Sequence, residues 1–348
     1  MNSFHLHNRK VGAEAPPLII AEMSGNHNQS LSRALEIVEA AAKAGAHALK
    51  LQTYTADTMT LNLSNKDFVI SGDRQWKDQS LYQLYQKAYT PWEWHAPIFN
   101  RCRELGMIGF SSPFDETAVD FLEKLNVPCY KIASFENTDL PLIKKVAQTG
   151  KPMIISTGLA TAAEIDEAVR TAESEGCKDV ILLKCTSTYP ASPANTNIST
   201  IPHMKELFQC QVGLSDHTTG TGVAVAAVAL GATVIEKHFT LSRRDGGVDA
   251  TFSMEPHEFK GLVDETKRAW LALGSITYGP TKSEASSQKY RRSLYVVKDI
   301  NKGELFSKEN VKAIRPGFGL PPKYYDILLG KRASKFIKAG TPLSWDLM

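Results

Sequence analysis

The chain has 348 residues, 43% hydrophobic and 22% charged, with 40 Lys+Arg against 37 Asp+Glu. That composition is ordinary for a globular protein and excludes a disordered tail, a fibrous repeat and a small disulfide scaffold. A net charge of +3 supplies no extended basic field for duplex nucleic acid, and the length allows one barrel-sized unit plus a small remainder, or two medium domains.

Along the chain, a short β-rich run followed by an amphipathic helix repeats. Leu18-Ile-Ile-Ala-Glu22 is an apolar strand ending in a carboxylate. A helix follows with Leu31, Ala34, Leu35, Val38, Ala41 and Ala42 on one face, and Gly45 stops it. Ala48-Leu-Lys-Leu51 is the second strand, and a polar insertion runs from Thr53 to Tyr89. Thr90-Pro91-Trp92-Glu93 reads as a capping box with Pro at the first helical position.

The third strand is Met107 to Phe110, the fourth Val127 to Ile132, and the fifth centres on Ile154-Ile155. Thr161-x-x-Glu164 caps the next helix, which ends by Gly176. Val180 to Leu183, Val212 to Leu214 and Val234-Ile235 complete eight strands, and a last helix runs from near Pro256 to Gly274. Alternating β and α elements with apolar strands predict a parallel sheet, and eight units of this length predict a closed (β/α)₈ TIM barrel. No G-x-G-x-x-G follows the first strand, which argues against a dinucleotide fold.

After Gly279-Pro280 the character changes. The expected organisation is a barrel over 1–280, a polar linker over 281–290 and a small turn-rich domain over 291–348. Leu294 to Val297 and Val311 to Ile314 are that domain's β-like runs. A domain this small carries little core of its own and is expected to pack on another surface.

Cys102, Cys129, Cys177, Cys185 and Cys210 are odd in number, widely spaced and free of C-x-x-C, as in reduced cytoplasmic proteins. Met1 to Pro17 has no apolar signal-peptide core. The longest weakly polar run, Gly222 to Ile235, is short of the about 20 residues a membrane span needs. A cytoplasmic protein with no membrane or nucleic-acid partner is expected.

A TIM barrel builds its site at the C-terminal ends of its strands. Those ends are all polar here: Glu22 with Asn26-His27; Lys50 and Gln52; Ser111-Ser112; Lys131, Ser134 and Glu136; Ser156-Thr157-Gly158; Lys184, Thr186, Ser187 and Tyr189; Ser215-Asp216-His217; and Glu236-Lys237-His238. Lysines at strand positions are costly unless paired, so Lys50 and Lys131 either neutralise barrel glutamates or, with the serine hydroxyls, receive an anionic ligand. As a set they favour the ligand. His217 and His238 end adjacent strands, and the spacing leaves two readings open: joint ligands of a divalent ion such as manganese, or two hydrogen-bonded histidines.

Glu22, Glu136 and Asp249 are acid/base candidates, and a lysine near Glu136 is expected to keep it ionised as a base. Asp249 lies in the loop Asp245-Gly-Gly-Val-Asp249 and reads first as an exposed loop carboxylate, second as part of a closing loop. Arg315, in Arg315-Pro-Gly-Phe-Gly319, offers a guanidinium from a constrained loop. His5-x-His7 precedes the first strand, so it is read as a solvated N-terminal segment rather than the H-x-H of a barrel hydrolase.

Taken together, Ile20-Ala-Glu22 with Asn26-His27, Lys50-Leu-Gln52, Ser111 to Phe114, Tyr130 to Ser134 with Glu136, Ser156-Thr-Gly158, Cys185 to Pro190, Gly213 to His217 and Glu236 to Phe239 resemble the sialic-acid-synthase (nonulosonic acid synthase) family over nearly the whole chain. Ser293-Leu-Tyr295, Asp299 to Gly303 and Arg315-Pro-Gly317 resemble the antifreeze-like SAF (β-clip) domain that follows the barrel in this family. The resemblance implies an enzyme that condenses phosphoenolpyruvate with an acylamino sugar and releases phosphate. It implies that Lys50, Ser112, Lys131, Ser134, Ser156, Ser187 and Ser215 hold phosphoenolpyruvate. His217 and His238 would bind a divalent ion, manganese with magnesium or cobalt as alternatives. Glu136 would move protons around water attack, and Glu22, Tyr189 and Asp249 would contact the sugar. Arg315 would reach the partner's barrel in a domain-swapped homodimer.

The N-acetylneuraminate branch usually carries Gly-Ser-Gly-Glu where this chain has Ala133-Ser-Phe-Glu136, and Asn where it has Ser187. With Lys50 to Thr55 and an aromatic insertion bearing Trp76, Tyr82 and Tyr85, these departures resemble the pseudaminic acid branch. The implied acceptor is 2,4-diacetamido-2,4,6-trideoxy-L-altrose, with legionaminic and N-acetylneuraminic acid synthesis as alternatives. A carbohydrate- or ice-binding protein is disfavoured by the charged barrel mouth.

Overall fold

The structure is a computed structural model and describes residues 3–70, 76 and 79–348. The remainder of the polar insertion, residues 71–75, 77 and 78, lies outside the described residues. The chain divides into two compact units, Met1–Gly274 and Ser275–Met348.

The first unit opens with a hairpin of β1 (Phe4–Leu6) and β2 (Arg9–Val11). The barrel strands follow as β3 (Leu18–Glu22), β4 (Ala48–Thr53), β5 (Ile108–Pro113), β6 (Tyr130–Ile132), β7 (Met153–Ser156), β8 (Val180–Cys185), β9 (Gln211–Asp216) and β10 (Val234–His238). They close in sequence order, with β10 pairing in parallel with β3, as the alternating pattern predicted.

Side chains alternate between the two faces of a strand, and this fixes where the polar ends point. Leu18 and Ile20 belong to the apolar cluster inside the barrel, together with Ala48, Ile108, Phe110, Ile154, Ile181, Leu183 and Val234. Ile19, Ala21, Leu49, Leu51, Leu182 and Ile235 belong instead to the layer between strands and helices. Continuing the inward columns upward gives Glu22, Lys50, Gln52, Ser112, Lys131, Ser156, Cys185, Ser215, Glu236 and His238. The same alternation that packs the barrel floor therefore aims one polar side chain after another into its mouth.

The helices cover the outer face. Leu31–Lys43 buries Ala34, Ile37, Val38 and Ala41, spaced as one helical stripe, and Ser30 caps it by accepting from the Arg33 amide. Thr161 and Glu164 form the expected capping box of Ala162–Ser174. The expected box at Thr90 does not form. Pro91 is the N-cap of Trp92–Glu104 without a side-chain bond, because the Thr90 hydroxyl is engaged by His27 Nε2 at 3.2 Å.

The reading of His5-x-His7 as a merely solvated segment is also corrected. His5 and His7 are exposed, but between them Leu6, with Val11 of the facing strand, is buried in the barrel-interior cluster. The hairpin thus supplies apolar side chains to the bottom of the barrel. The five cysteines are buried free thiols. No described helix is long and apolar enough to cross a membrane.

The second unit has its own small core, built on the antiparallel pair β11 (Ser293–Val296) and β12 (Val311–Ile314) with Ile300, Phe306, Leu328, Ile337 and Leu343. Residues 275–290, including the expected linker, fall on this side of the division and are exposed.

Candidate active site

Glu22 and Lys50 stand on neighbouring strands with Lys50 Nζ 2.6 Å from Glu22 Oε2, both buried. Gln52 Nε2 donates to Glu22 Oε1 at 2.9 Å. Burial pushes the Glu22 carboxyl up to about 7 against the pull of Lys50, and the nearby Glu236 charge pushes the same way.

Lys50 and Lys131 share a second carboxylate. Glu236 Oε1 lies 3.6 Å from Lys50 Nζ and 3.8 Å from Lys131 Nζ, and accepts from Ser215 Oγ at 3.4 Å. Lys131 also donates to Ser156 Oγ at 2.7 Å, and Lys50 to Ser112 Oγ at 3.4 Å. Both ways of satisfying a buried lysine are therefore present together. Each ammonium is neutralised by a glutamate, and each also touches a strand-end hydroxyl. Glu236 was visible as a polar strand end but carried no assigned role; the pairing across strands that gives it one is not written in local sequence.

Gly158 brings two more hydroxyls together. Its amide donates to Ser134 Oγ at 3.2 Å, and a Cβ at this position would lie 2.6 Å from Ser134 Oγ and still closer to Ser187 Oγ. Only glycine leaves that space open. Asn137 steadies the turn by donating to the carbonyls of Ser156 (3.2 Å) and Gly158 (3.1 Å).

The expectation that a lysine keeps Glu136 ionised is corrected. Burial raises its carboxyl to about 7, and Lys131 offsets only part of this. Its Oε2 is buried without a hydrogen-bond partner. Glu136 is thus poised to accept or release a proton near neutrality, which suits acid/base work better than a permanently charged carboxylate. Next to it, Phe135 is 61% exposed, an unusual placement for a phenyl ring.

His217 and His238 come together with ring centroids 5.4 Å apart. His217 Nδ1 sits 3.0 Å from the Thr186 carbonyl, which can only accept, so Nδ1 carries a proton and Nε2 is the nitrogen left to meet a ligand. His238 Nδ1 is buried without a partner, and burial first, then neighbouring cations, hold its pKa well below the usual imidazole range. Burial opposes a charge on His217, but Cys185 Sγ beside it raises its pKa above the usual imidazole range, so a divalent ion would take the place of a proton at this pair. Two imidazoles so placed fit such an ion, its other positions filled by oxygen ligands. Among the described residues no third His, Cys, Asp or Glu completes a protein-only metal cluster.

Tyr189 stands over this pair, its ring 4.4 Å from His217 and 6.3 Å from His238, with Phe252 at 5.2 Å. From the insertion, Trp76 lies 6.3 Å from Tyr189 and donates through Nε1 to the Val248 carbonyl at 3.0 Å. Tyr85 packs on Tyr54 at 5.7 Å, while Tyr82 bonds Asp57 at 3.0 Å.

Asp249 is not the exposed loop carboxylate first expected. It is 8% exposed, and Ser24 Oγ donates to its Oδ2. Ser253 Oγ donates to the Asp249 carbonyl at 2.7 Å, and Asn26 Nδ2 donates to Ser253 Oγ at 2.9 Å. These bonds join the loop to the end of β3, and Gln52, which also donates to Ser24 Oγ at 3.1 Å, links Asp249 to Glu22 through one serine. Arg315 is exposed in the second unit.

The arrangement offers two ammonium groups and five hydroxyls for an anion, two imidazoles for a cation, and carboxyls near neutrality beside them. Comparison with known proteins gives a consistent picture. Residues 37–278 match the model of the NeuB family and residues 291–347 that of the SAF domain. The chain is 47% identical over 334 residues to the pseudaminic acid synthase of Helicobacter pylori, covering 95% of this chain and 97% of that protein. It is 38% identical to the N,N'-diacetyllegionaminic acid synthase of Campylobacter jejuni, covering 92% and 97%. The crystal structure of an N-acetylneuraminic acid synthetase from Leptospira borgpetersenii, solved with citrate, superposes with a TM-score of 0.74 at 32% identity, covering 83% of this chain and 96% of that one.

Proposed function

This chain belongs to the NeuB family, and from that membership we propose that it is a pseudaminic acid synthase. It condenses phosphoenolpyruvate with 2,4-diacetamido-2,4,6-trideoxy-L-altrose and water to give pseudaminic acid and phosphate. The observation that carries the substrate is the 47% identity to the Helicobacter pylori pseudaminic acid synthase across 95% of the chain, against 38% to the legionaminic enzyme. The exposed Phe135 supports it, since a 6-deoxy sugar presents a methyl where other acceptors present a hydroxyl.

Phosphoenolpyruvate takes Lys50, Lys131 and the hydroxyls of Ser112, Ser134, Ser156, Ser187 and Ser215. Because Glu22 and Glu236 already hold both lysines in the barrel, the ligand meets preorganised charge and little reorganisation accompanies its binding. Glu22, Tyr189 and Asp249 contact the acceptor sugar, and the linked hydrogen bonds through Gln52 and Ser24 orient the two carboxyls relative to each other.

His217 and His238 hold a divalent ion, manganese with magnesium or cobalt as alternatives, and when bound it supplies Lewis-acid polarisation of the aldehyde oxygen. Carbon 3 of phosphoenolpyruvate bonds to the aldehyde carbon, leaving a cation at carbon 2. Water adds there, and Glu136 takes its proton on the unpartnered Oε2. The tetrahedral intermediate then collapses with carbon–oxygen cleavage, and phosphate leaves. Glu136 gives that proton to the former aldehyde oxygen, and the hydroxyl proton at carbon 2 leaves with phosphate as the carbonyl forms.

Arg315 serves the sugar's N-acyl group from the partner of a swapped homodimer. The use of phosphoenolpyruvate, a cytoplasmic metabolite, supports a cytoplasmic location. The test is phosphate release from phosphoenolpyruvate by metal-reconstituted protein with and without the trideoxy altrose. Sugar-dependent release is expected; equal release in both would refute the proposal.

A further inference from the structure

Behind the two imidazoles lies a buried ion pair that the mechanism above does not use. Asp216 and Lys237 are register partners on β9 and β10. By alternation they point away from the barrel mouth, while Ser215, Glu236 and His238 point into it. Their side chains are each 1% exposed. Lys237 Nζ lies 2.6 Å from Asp216 Oδ2 and donates to the Thr218 carbonyl at 2.7 Å, and the Thr218 amide donates to Asp216 Oδ1 at 2.9 Å.

One ammonium therefore grips the residue before His217 and the residue after it, and its own chain neighbour is His238. The register partners of β9 and β10 end at this pair, so His217 lies one residue past the last paired position of its strand. Stability is a poor reason for such a pair. Desolvating both charges is costly, and apolar residues of similar volume are often as stable or more so. The backbone rungs and the inward–outward alternation already fix the register. What the pair adds is control over where the chain carries His217 relative to His238.

We propose that Asp216 and Lys237 form a positioning clamp that sets the separation of the His217 and His238 imidazoles and thereby the affinity of the site for a divalent cation. The proposal rests on the assignment of those imidazoles as metal ligands. Neither clamp residue touches substrate; both act through the histidines.

The test is isothermal titration of Mn²⁺ into metal-stripped full-length protein, wild type against the double variant Asp216→Leu/Lys237→Met. This exchange leaves net charge unchanged, so a change in affinity does not follow from the protein's overall charge. The expected result is a melting temperature close to wild type with Mn²⁺ affinity lower by roughly 10–100-fold, the scale of outer-shell effects on metal sites. A merely structural pair would move the melting temperature and leave the affinity of the folded protein alone. Should the double variant not fold, Lys237→Arg keeps the charge but cannot place one nitrogen on both Asp216 Oδ2 and the Thr218 carbonyl; a loss of at least fivefold is expected. Wild-type binding retained within twofold by the variant that folds overturns the clamp alone. A wild type that binds no Mn²⁺ overturns the ligand assignment and the clamp with it.

Discussion

Lys50 Nζ and Glu22 Oε2 lie 2.6 Å apart at the ends of two neighbouring barrel strands, and neither side chain is more than 4% exposed. The pair joins the groups assigned to two different substrates, the anion and the sugar. Removing the ammonium would strand Glu22 and Glu236 as buried carboxylates with fewer cations between them. Lys50→Met is therefore expected to weaken phosphoenolpyruvate binding at least 100-fold and to lower stability by about 3–5 kcal/mol, the cost typical of breaking a buried pair. Calorimetric titration and denaturant unfolding read the two effects. An unchanged melting curve with unchanged binding would remove Lys50 from the anion site.

Gly158 gives a cleaner separation of binding from folding. An added methyl meets the Ser134 and Ser187 hydroxyls, not a helix or a strand rung. Gly158→Ala is expected to raise the KM for phosphoenolpyruvate at least tenfold, with a stability loss within the about 1–3 kcal/mol of local overpacking. If KM is unchanged, those hydroxyls do not converge on the ligand.

The pH dependence should report Glu136. Its carboxyl is pushed up to about 7 by burial, so the proton-accepting form is scarce at pH 6 and dominant above pH 8. Turnover is expected to rise about fivefold between pH 6 and 7, nearly twofold more by pH 8, and then level, as for a single base. Glu136→Gln should lose turnover while still binding phosphoenolpyruvate. A variant that retained turnover would take Glu136 out of the chemistry.

Two buried histidines outside the proposed metal pair set an acid limit on stability. Burial lowers His27 and His95 from 6.5 to about 4, and His95 Nε2 sits 2.8 Å from Thr53 Oγ1. The unfolded chain takes up protons near 6.5, the folded chain only near 4. Their stabilising contribution is therefore complete above pH 6.5 and is lost as pH falls toward 4, to the extent of about 3 kcal/mol per group. Melting temperature should fall steeply across that window and be flat from pH 7 to 8. A flat profile from 7 down to 4 would contradict the burial of these rings.

Much of this was legible in the sequence. Apolar runs at regular intervals gave the barrel, and the period-two alternation within each run, such as Leu18-Ile20-Glu22 or Val234-Glu236-His238, carried the polar residues to its mouth. What escaped depended on contacts between distant segments. Asp249 looked solvated because the serine that buries it is Ser24, at the far end of the barrel sequence. Glu136 looked ionised because its neighbours in sequence show a lysine but not how deeply the carboxyl is buried. The hairpin of β1 and β2 was hidden by its length, since three-residue strands with one fully buried side chain each leave no periodic signature.

Competition between acceptor sugars tests most directly whether this barrel makes pseudaminic acid. Metal-reconstituted protein can be given phosphoenolpyruvate and an equimolar mixture of the trideoxy altrose, the legionaminic precursor and N-acetylmannosamine, with product masses followed as phosphate appears. Pseudaminic acid is expected as the dominant early product, formed one-for-one with phosphate. Faster consumption of either other sugar, or no phosphate at all, would contradict it.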